Sequence, residues 1–462
     1  TLLDVNLLNL PGEDKQIEDY TFSDDEAQLL LTAGSEAIYR HSTKEWTYVY
    51  DNTTRKVAGL NEKGKQMHAT FSPDGKKVGF VMDNNMYYKD LASGKITQVT
   101  TDGKWNHIIN GSCDWVYEEE FSFTKAFAWS PDNRYIAYYR FDESAVKEFT
   151  MTNYTGELYP ENVTFKYPKV GMENSKVSIH IFDTKTKKKV DVDRTSDPDG
   201  YIPRIKWTND PSKLCVFWMN RHQNHLELLI ANSVSGKTTK LLQEENKYYI
   251  DIHDNLTFLQ DGQGFIWTSE QDGFNHIYLY DMSGSLKKQI TTGNWEVTSF
   301  YGVDEKNKAI YYQSASASPM EREIFSVGLD GVTKKQLHVD KGMNTAQFST
   351  TFDLFVLNHS TINSAPTYTV YDRKGKVVRV LENNEGVKAQ QDEAGAQPVE
   401  FFNFTTSEGV DLNGYMIKPA NFDATKKYPV FMTLYGGPGS QEVLDGWMGA
   451  DYWWYQSLAQ QG

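Results

Sequence analysis

An internal repeat constrains this chain more than any other feature of its sequence. The first mark of each copy is an aromatic residue, then a turn rich in Ser, Asp, Pro and Gly, then a strand. Phe71-Ser72-Pro73-Asp74-Gly75 leads into Val78-Gly79-Phe80-Val81, and Trp129-Ser130-Pro131-Asp132-Asn133 leads into Tyr135-Ile136-Ala137-Tyr138-Tyr139. Looser copies begin at Phe22, Trp207, Phe258, Val303 and Phe348. A second strand ends near Asp or Asn in each copy, as in Tyr48-Val49-Tyr50-Asp51 and Ile277-Tyr278-Leu279-Tyr280-Asp281, and a Gly turn often follows, as at Ser93-Gly94-Lys95 and Lys374-Gly375-Lys376. Such turns supply the positive φ that hairpins need. The first marks are spaced by 49, 58, 78, 51, 45 and 45 residues. Several short strands per unit at a period of roughly 40–50 residues specify β-propeller blades. Apolar residues alternate with period two within each unit, which excludes a solenoid of helix pairs. Seven copies are visible, from about residue 17 to about 383.

The 78-residue interval places an insertion at roughly 144–176, carrying Tyr154, Tyr159, Phe165 and Tyr167-Pro168-Lys169. It is a partner-binding arm or a long loop folded onto its own blade. Beyond about 381 the texture changes. Glu382 to Pro398 is largely polar and has the composition of a linker. Strands are then expected at Val399 to Phe404, Asn413 to Lys418 and the apolar run Val430 to Tyr435, which enters Gly436-Gly437-Pro438-Gly439. A buried strand delivering a Gly-rich loop is how α/β-hydrolases place an oxyanion-hole donor. The expected organisation is therefore a propeller over 1–390 and the opening of an α/β-hydrolase domain over 391–462.

Composition excludes several functions. The net charge of −15 argues against a phosphate backbone as partner and suits basic ligands such as peptide N-termini. Two cysteines, Cys113 and Cys215, are too few for a disulfide framework or a cysteine-rich zinc site. No apolar run approaches the ~20 residues of a membrane helix. The chain opens at Thr1 without Met or a signal peptide, as expected of a processed or cropped product.

The densest chemical cluster is Asp114-Trp115-Val116-Tyr117-Glu118-Glu119-Glu120-Phe121. Adjacent carboxylates repel, so three in a row flanked by large aromatics call for a use. A peptide α-ammonium, with a pKa of about 7.7–8.0, offers three donors that two convergent carboxylates could neutralise and orient. The same residues also fit a solvated acidic turn or a Ca²⁺ site. Arg40-His41-Ser42 lies between two strands of the first full repeat, where a guanidinium could secure the carboxylates or hold a substrate carbonyl. His222 and His225 lack a third metal ligand, and Ser235-Gly236-Lys237-Thr238 has Ala231 where a phosphate loop needs its first Gly. No Gly-x-Ser-x-Gly elbow occurs and all ten His lie at or before His359, so the hydrolase-like segment cannot assemble a Ser-His-Asp triad from this sequence.

Asp114 to Phe121, Arg40-His41-Ser42, Tyr167-Pro168-Lys169-Val170-Gly171 and Leu434-Tyr435-Gly436-Gly437-Pro438 together resemble the dipeptidyl peptidase IV family of the prolyl oligopeptidase group, over essentially the whole chain. The resemblance implies an eight-bladed propeller capping an α/β-hydrolase domain. It also implies a serine exopeptidase, without cofactor or metal, that releases dipeptides from N-termini with proline, or less readily alanine, in second position. By the same resemblance Glu119 and Glu120 bind the substrate ammonium, Arg40 contacts a substrate carbonyl, and Tyr435 donates to the oxyanion. An aromatic lining an extended subsite would be Tyr248 or Tyr249. The insertion at 144–176 resembles the family's dimerisation arm, which implies a homodimer. Two departures stand out. Seven repeats fall one short of eight, which implies that the propeller's start is missing, and Tyr435-Gly436-Gly437-Pro438-Gly439 stands where animal enzymes carry Ala and Cys at two positions. With so few cysteines the resemblance is to a bacterial, periplasmic or secreted form. A tripeptide-releasing relative and a non-catalytic peptide-binding propeller are the alternatives.

Overall fold

The computed structural model describes residues 8, 10, 16–156, 158–193, 199–437 and 439–462. Among them the repeat becomes seven antiparallel sheets of consecutive strands, over 17–59, 67–98, 108–191, 201–245, 257–289, 297–336 and 343–382. Six have four strands; the third has a fifth, Ile108–Asn110, paired with Tyr135–Asp142. The seven sheets match the seven copies counted from sequence. The chain divides into two compact units, Thr1–Asp254 with four of these sheets and Asn255–Gly462 with three.

Local chemistry explains why each copy folds the same way. The aromatic mark closes the first strand of its sheet: Phe22, Phe71, Trp129, Trp207, Phe258 and Phe348 are terminal residues, and Val303 is the last but one. In the first three copies the following Ser closes the turn. Its hydroxyl donates to the Asp two residues on, at 2.7 Å for Ser23 to Asp25, 2.7 Å for Ser72 to Asp74 and 2.6 Å for Ser130 to Asp132. The same oxygen accepts the first N–H of the next strand, from Gln28, Lys77 and Tyr135 at 3.0, 3.0 and 2.8 Å. A side chain that bonds its own backbone in this way favours the turn over any continued strand. The tryptophan marks also reach backwards. Trp129 Nε1 donates to the carbonyl of Thr70 at 3.3 Å, and Trp207 Nε1 to that of Ala128 at 3.1 Å, each residue lying one place before the preceding sheet's mark.

Burial is concentrated in the second and third strands, whose apolar faces meet those of the next sheet within each unit. Leu30 and Leu60 pack with Val78 and Phe80; Val81 and Tyr88 with Phe127 and Trp129; Tyr139 and Phe141 with Leu214 and Val216. In the second unit Ile266 and Ile277 pack with Ile310 and Phe325, and Tyr311 and Ile324 with Phe355 and Leu357. Gly79 marks one such approach. A Cβ there would meet Phe127 Cε2 at 3.0 Å and Trp129 Nε1 at 3.2 Å, so a larger residue would require those rings to give way.

The insertion is a hairpin of its own, Glu148–Asn153 paired with Glu161–Lys166, between the second and third principal strands of the third sheet. Its tip exposes Tyr154, Leu158 and Tyr159.

Two features beyond residue 381 depart from expectation. The polar stretch read as a linker contains a helix, α2 (Glu385–Glu393), because its Glu, Lys, Ala and Gln are good helix formers whatever their polarity. The hairpin Val399–Thr405 with Asp411–Ile417 is present. The expected buried strand Val430 to Tyr435 is not: residues 427–437 have no regular structure, and Val430, Phe431, Met432, Leu434 and Tyr435 are exposed. An apolar run makes a strand only when neighbours take its N–H and C=O groups, and no strand among the described residues pairs with it. Pro438 lies outside the described residues. A final helix, α3 (Ala450–Gln461), sets Tyr452 against Val399 and Ile362.

Candidate functional site

The acidic cluster forms a short helix, α1 (Trp115–Glu120), in the first unit. Six residues cannot hold a helix by propensity, so its neighbours must. Asp114 is the N-cap: Oδ1 accepts the Tyr117 N–H at 3.0 Å and Oδ2 accepts the Ser175 hydroxyl at 2.5 Å. Burial pushes the Asp114 carboxyl up, against the opposing pull of those two bonds. Tyr117 anchors the buried side, its hydroxyl accepting the Ile202 N–H at 2.9 Å and its ring lying 4.9 Å from those of Phe121 and Phe141. At the far end Arg204 Nη1 donates to the Phe121 carbonyl at 2.7 Å, while Asp254 holds the same guanidinium at 2.6 and 3.2 Å. Trp115 leans on Tyr167 from the inserted hairpin, ring centres 4.4 Å apart.

A helix turns about 100° per residue, so the three glutamates cannot share one environment. Glu118 points inward, 1% exposed, and its Oε1 accepts the backbone N–H groups of His41 at 2.5 Å and Ser42 at 3.2 Å. The Glu119 side chain is 15% exposed and its Oε1 lies 3.2 Å from Nε of Arg40, whose side chain is 71% exposed. Glu120 is exposed. The structure therefore brings Arg40 to Glu119, on separate segments held by a buried frame, and leaves Glu120, the next residue, exposed. The sequence singles out Glu119 and Glu120 through the family resemblance and gives no sign of the inward role of Glu118. Tyr248 and Tyr249 are both exposed, and partial burial, then Asp251 and Glu120, push the Tyr249 phenol up.

A third buried carboxyl lies within the field of Asp114. Glu143 is 2% exposed, and burial, reinforced by Asp114, pushes it up to about 7. A raised carboxyl binds its proton more tightly folded than unfolded, so its contribution is full below the unfolded value near 4.5 and is lost as pH rises through about 7. Glu143→Gln should therefore gain stability relative to the parent on going from pH 5 to pH 8, by up to about 3 kcal/mol. Denaturant unfolding at the two pH values measures this, and parallel profiles would refute it.

The other sequence candidates fall elsewhere. His225 pairs with Glu227 and Glu245 at 3.3 and 3.0 Å, and no group of three or more His, Cys, Asp or Glu among the described residues could hold a metal ion. Ser235 sits in a turn capped by Asn232. Cys113 and Cys215 are free and buried. Tyr435, in the second unit, is 71% exposed. One arrangement not foreseen has the connectivity of a nucleophilic triad: Ser178 Oγ lies 2.9 Å from His180 Nε2, and His180 Nδ1 lies 2.7 Å from Asp191. Its strand is committed to neighbours on both sides, and His276 makes a like bond to Thr291 in the fifth sheet. The chain of bonds therefore rivets outer strands together.

Comparison with known proteins decides the family. The model for the dipeptidyl peptidase IV (DPP IV) N-terminal region matches residues 23–366. The chain belongs to that family. Its β-propeller class accounts for the seven sheets, and the matched stretch contains Arg40 and the whole of α1. The dipeptidyl peptidase 4 of Trichophyton equinum is 29% identical over 453 residues, covering 94% of this chain and 58% of the relative. That of Arthroderma otae is 28% identical over 457 residues, covering 95% and 58%. The crystal structure of Porphyromonas gingivalis dipeptidyl peptidase 4 matches with a TM-score of 0.94 and 40% identity, over 100% of this chain and 65% of that one. The chain thus spans less than two thirds of the length of each DPP IV relative.

Proposed function

We propose that this DPP IV-family chain is the substrate-recognition part of a serine exopeptidase that releases dipeptides from free N-termini, with proline or alanine in second position. Its propeller would extend over 1–390 and an α/β-hydrolase segment over 391–462. The observation that carries the reading is α1. A six-residue helix, fixed at both ends by hydrogen bonds, presents Glu119 beside Arg40 and leaves Glu120 open to solvent. Two carboxylates on a rigid element suit an ammonium with three donors, and Arg40 suits a substrate carbonyl. An anchor for the α-ammonium would fix the distance from the amino terminus to the bond cut, so product length follows from its position. Tyr435 would donate its hydroxyl to the oxyanion. The exposed aromatics of the inserted hairpin support a homodimer made through 144–176.

The test compares a peptide with proline second, free at its N-terminus, with the same peptide acetylated. Release of a dipeptide from the free peptide, with cleavage of the acetylated one lower by about a hundredfold or more, is expected from loss of a charged, multiply bonded group. Equal cleavage of both would point to an endopeptidase, and a tripeptide product, read by mass spectrometry, to the tripeptide-releasing alternative.

A further inference from the structure

Arg40 and Glu119 belong to different sheets' connections, and no strand pairing joins the turn 38–42 to α1. Their ion pair cannot fix its own spacing, because the Arg40 side chain is 71% exposed and exposed pairs are weak and screened by solvent. The turn is closed within itself by the Ile38 N–H donating to the Ser42 carbonyl at 2.8 Å and the Tyr39 N–H to the Ser42 hydroxyl at 3.3 Å. What attaches it to the helix is Glu118. One carboxylate oxygen takes the two amides that directly follow Arg40, at 2.5 and 3.2 Å, in a site that is 1% exposed and where Ser42 is also buried. The other oxygen, Oε2, is buried without a hydrogen-bond partner. A carboxylate half satisfied in this way is costly to bury, so tying down the turn is the one stabilising use its hydrogen bonds show.

We propose that Glu118 is a positioning residue, which docks the Arg40 turn on α1 and thereby sets the separation of the guanidinium from Glu119 and Glu120. The proposal rests on the reading of those two glutamates as the ammonium anchor. Glu118 itself touches no substrate in this scheme. It acts through the backbone of residues 41 and 42, so its loss should be felt most by substrates that use both the anchor and the Arg40 contact.

The experiment measures kcat/KM of the intact enzyme on a Gly-Pro-anilide with a free amino group and on its des-amino analogue. Glu118→Ala should lower the first by about ten- to a hundredfold, the range for losing hydrogen bonds to a charged group, and the second by a clearly smaller factor, because the analogue keeps the carbonyl that Arg40 holds but lacks the group that Glu119 and Glu120 hold. Glu118→Gln keeps an acceptor oxygen on the same stem and should recover most of the loss. Arg40→Ala combined with Glu118→Ala should cost little more than the worse single change, since the two act through one contact. Should the alanine variant fold poorly, Glu118→Asp, which keeps the charge but shortens the reach, should show the same selective loss. Equal losses on both substrates, a glutamine variant as impaired as the alanine one, or additive effects with Arg40 would each overturn the proposal. A parent enzyme that fails to discriminate between the two substrates would overturn the ammonium-anchor reading itself, and that result is distinct from the other three.

Discussion

Glu119→Gln and Glu120→Gln should each lower kcat/KM of the intact enzyme on free-amino dipeptidyl substrates, by about thirtyfold to several thousandfold. Truncating or neutralising one partner of a hydrogen-bonded charge pair costs about 2–5 kcal/mol, and each 1.4 kcal/mol is tenfold. Glutamine preserves shape and one acceptor, so the change removes charge and leaves packing intact. The two variants should not be equal. Glu119 is mostly buried and shares its Oε1 with Arg40, so its neutralisation also frees the guanidinium, whereas Glu120 is exposed and works in a more screened setting. The larger loss is therefore expected at Glu119. On the acetylated peptide both variants should match the parent, because the group they serve is already gone. Steady-state kinetics on the two substrates checks this, and rates within twofold of the parent on the free-amino substrate would remove the anchor assignment.

Tyr435→Phe should lower kcat by about 10²–10³, the usual cost of one oxyanion donor, with little change in KM. The hydroxyl serves a charge that exists only as the tetrahedral intermediate forms, so ground-state binding should not register its loss. The side chain is 71% exposed in this chain, so removing the hydroxyl breaks no buried bond and should leave the melting temperature unchanged. An unchanged kcat would exclude Tyr435 from the oxyanion hole. A fall in kcat accompanied by a fall in melting temperature would indicate a structural role for the hydroxyl instead.

The repeat was legible because its signal is local and chemical. An aromatic, a Ser that bonds the Asp two places on, and an alternating strand recur in a fixed order, and the structure sets each mark at the end of a first strand. The acidic run was legible as a site candidate because adjacent carboxylates are improbable without a purpose. Its inner division was not, since composition cannot show which of three neighbouring glutamates a helix turns towards backbone amides 76 and 77 residues away. The helix itself gave no sequence signal, being a six-residue element held by Asp114, Tyr117 and Arg204. The run Val430 to Tyr435 shows the converse. Its strand propensity is real, but sheet formation depends on partners that propensity does not register. Helix α2 was hidden by its polarity, which was taken for linker character, and α3 by its unusual Trp-Trp-Tyr content.

The meander order of the sheets has a consequence for how the protein is made. Each sheet is completed by strands that follow one another along the chain, the last of them within 343–382, so most pairing joins residues close in sequence. Low contact order favours rapid formation, and domains are laid down from the N-terminal end during synthesis. The third sheet breaks this pattern. Tyr135–Asp142 must wait for Lys176–Asp183, and the hairpin between them has to emerge first. That delay falls on the segment carrying α1, whose cap needs Ser175 and whose Tyr117 needs Ile202. Helix α1 is thus among the later parts of its unit to be secured, after the Arg40 turn bonded to it has already left the ribosome.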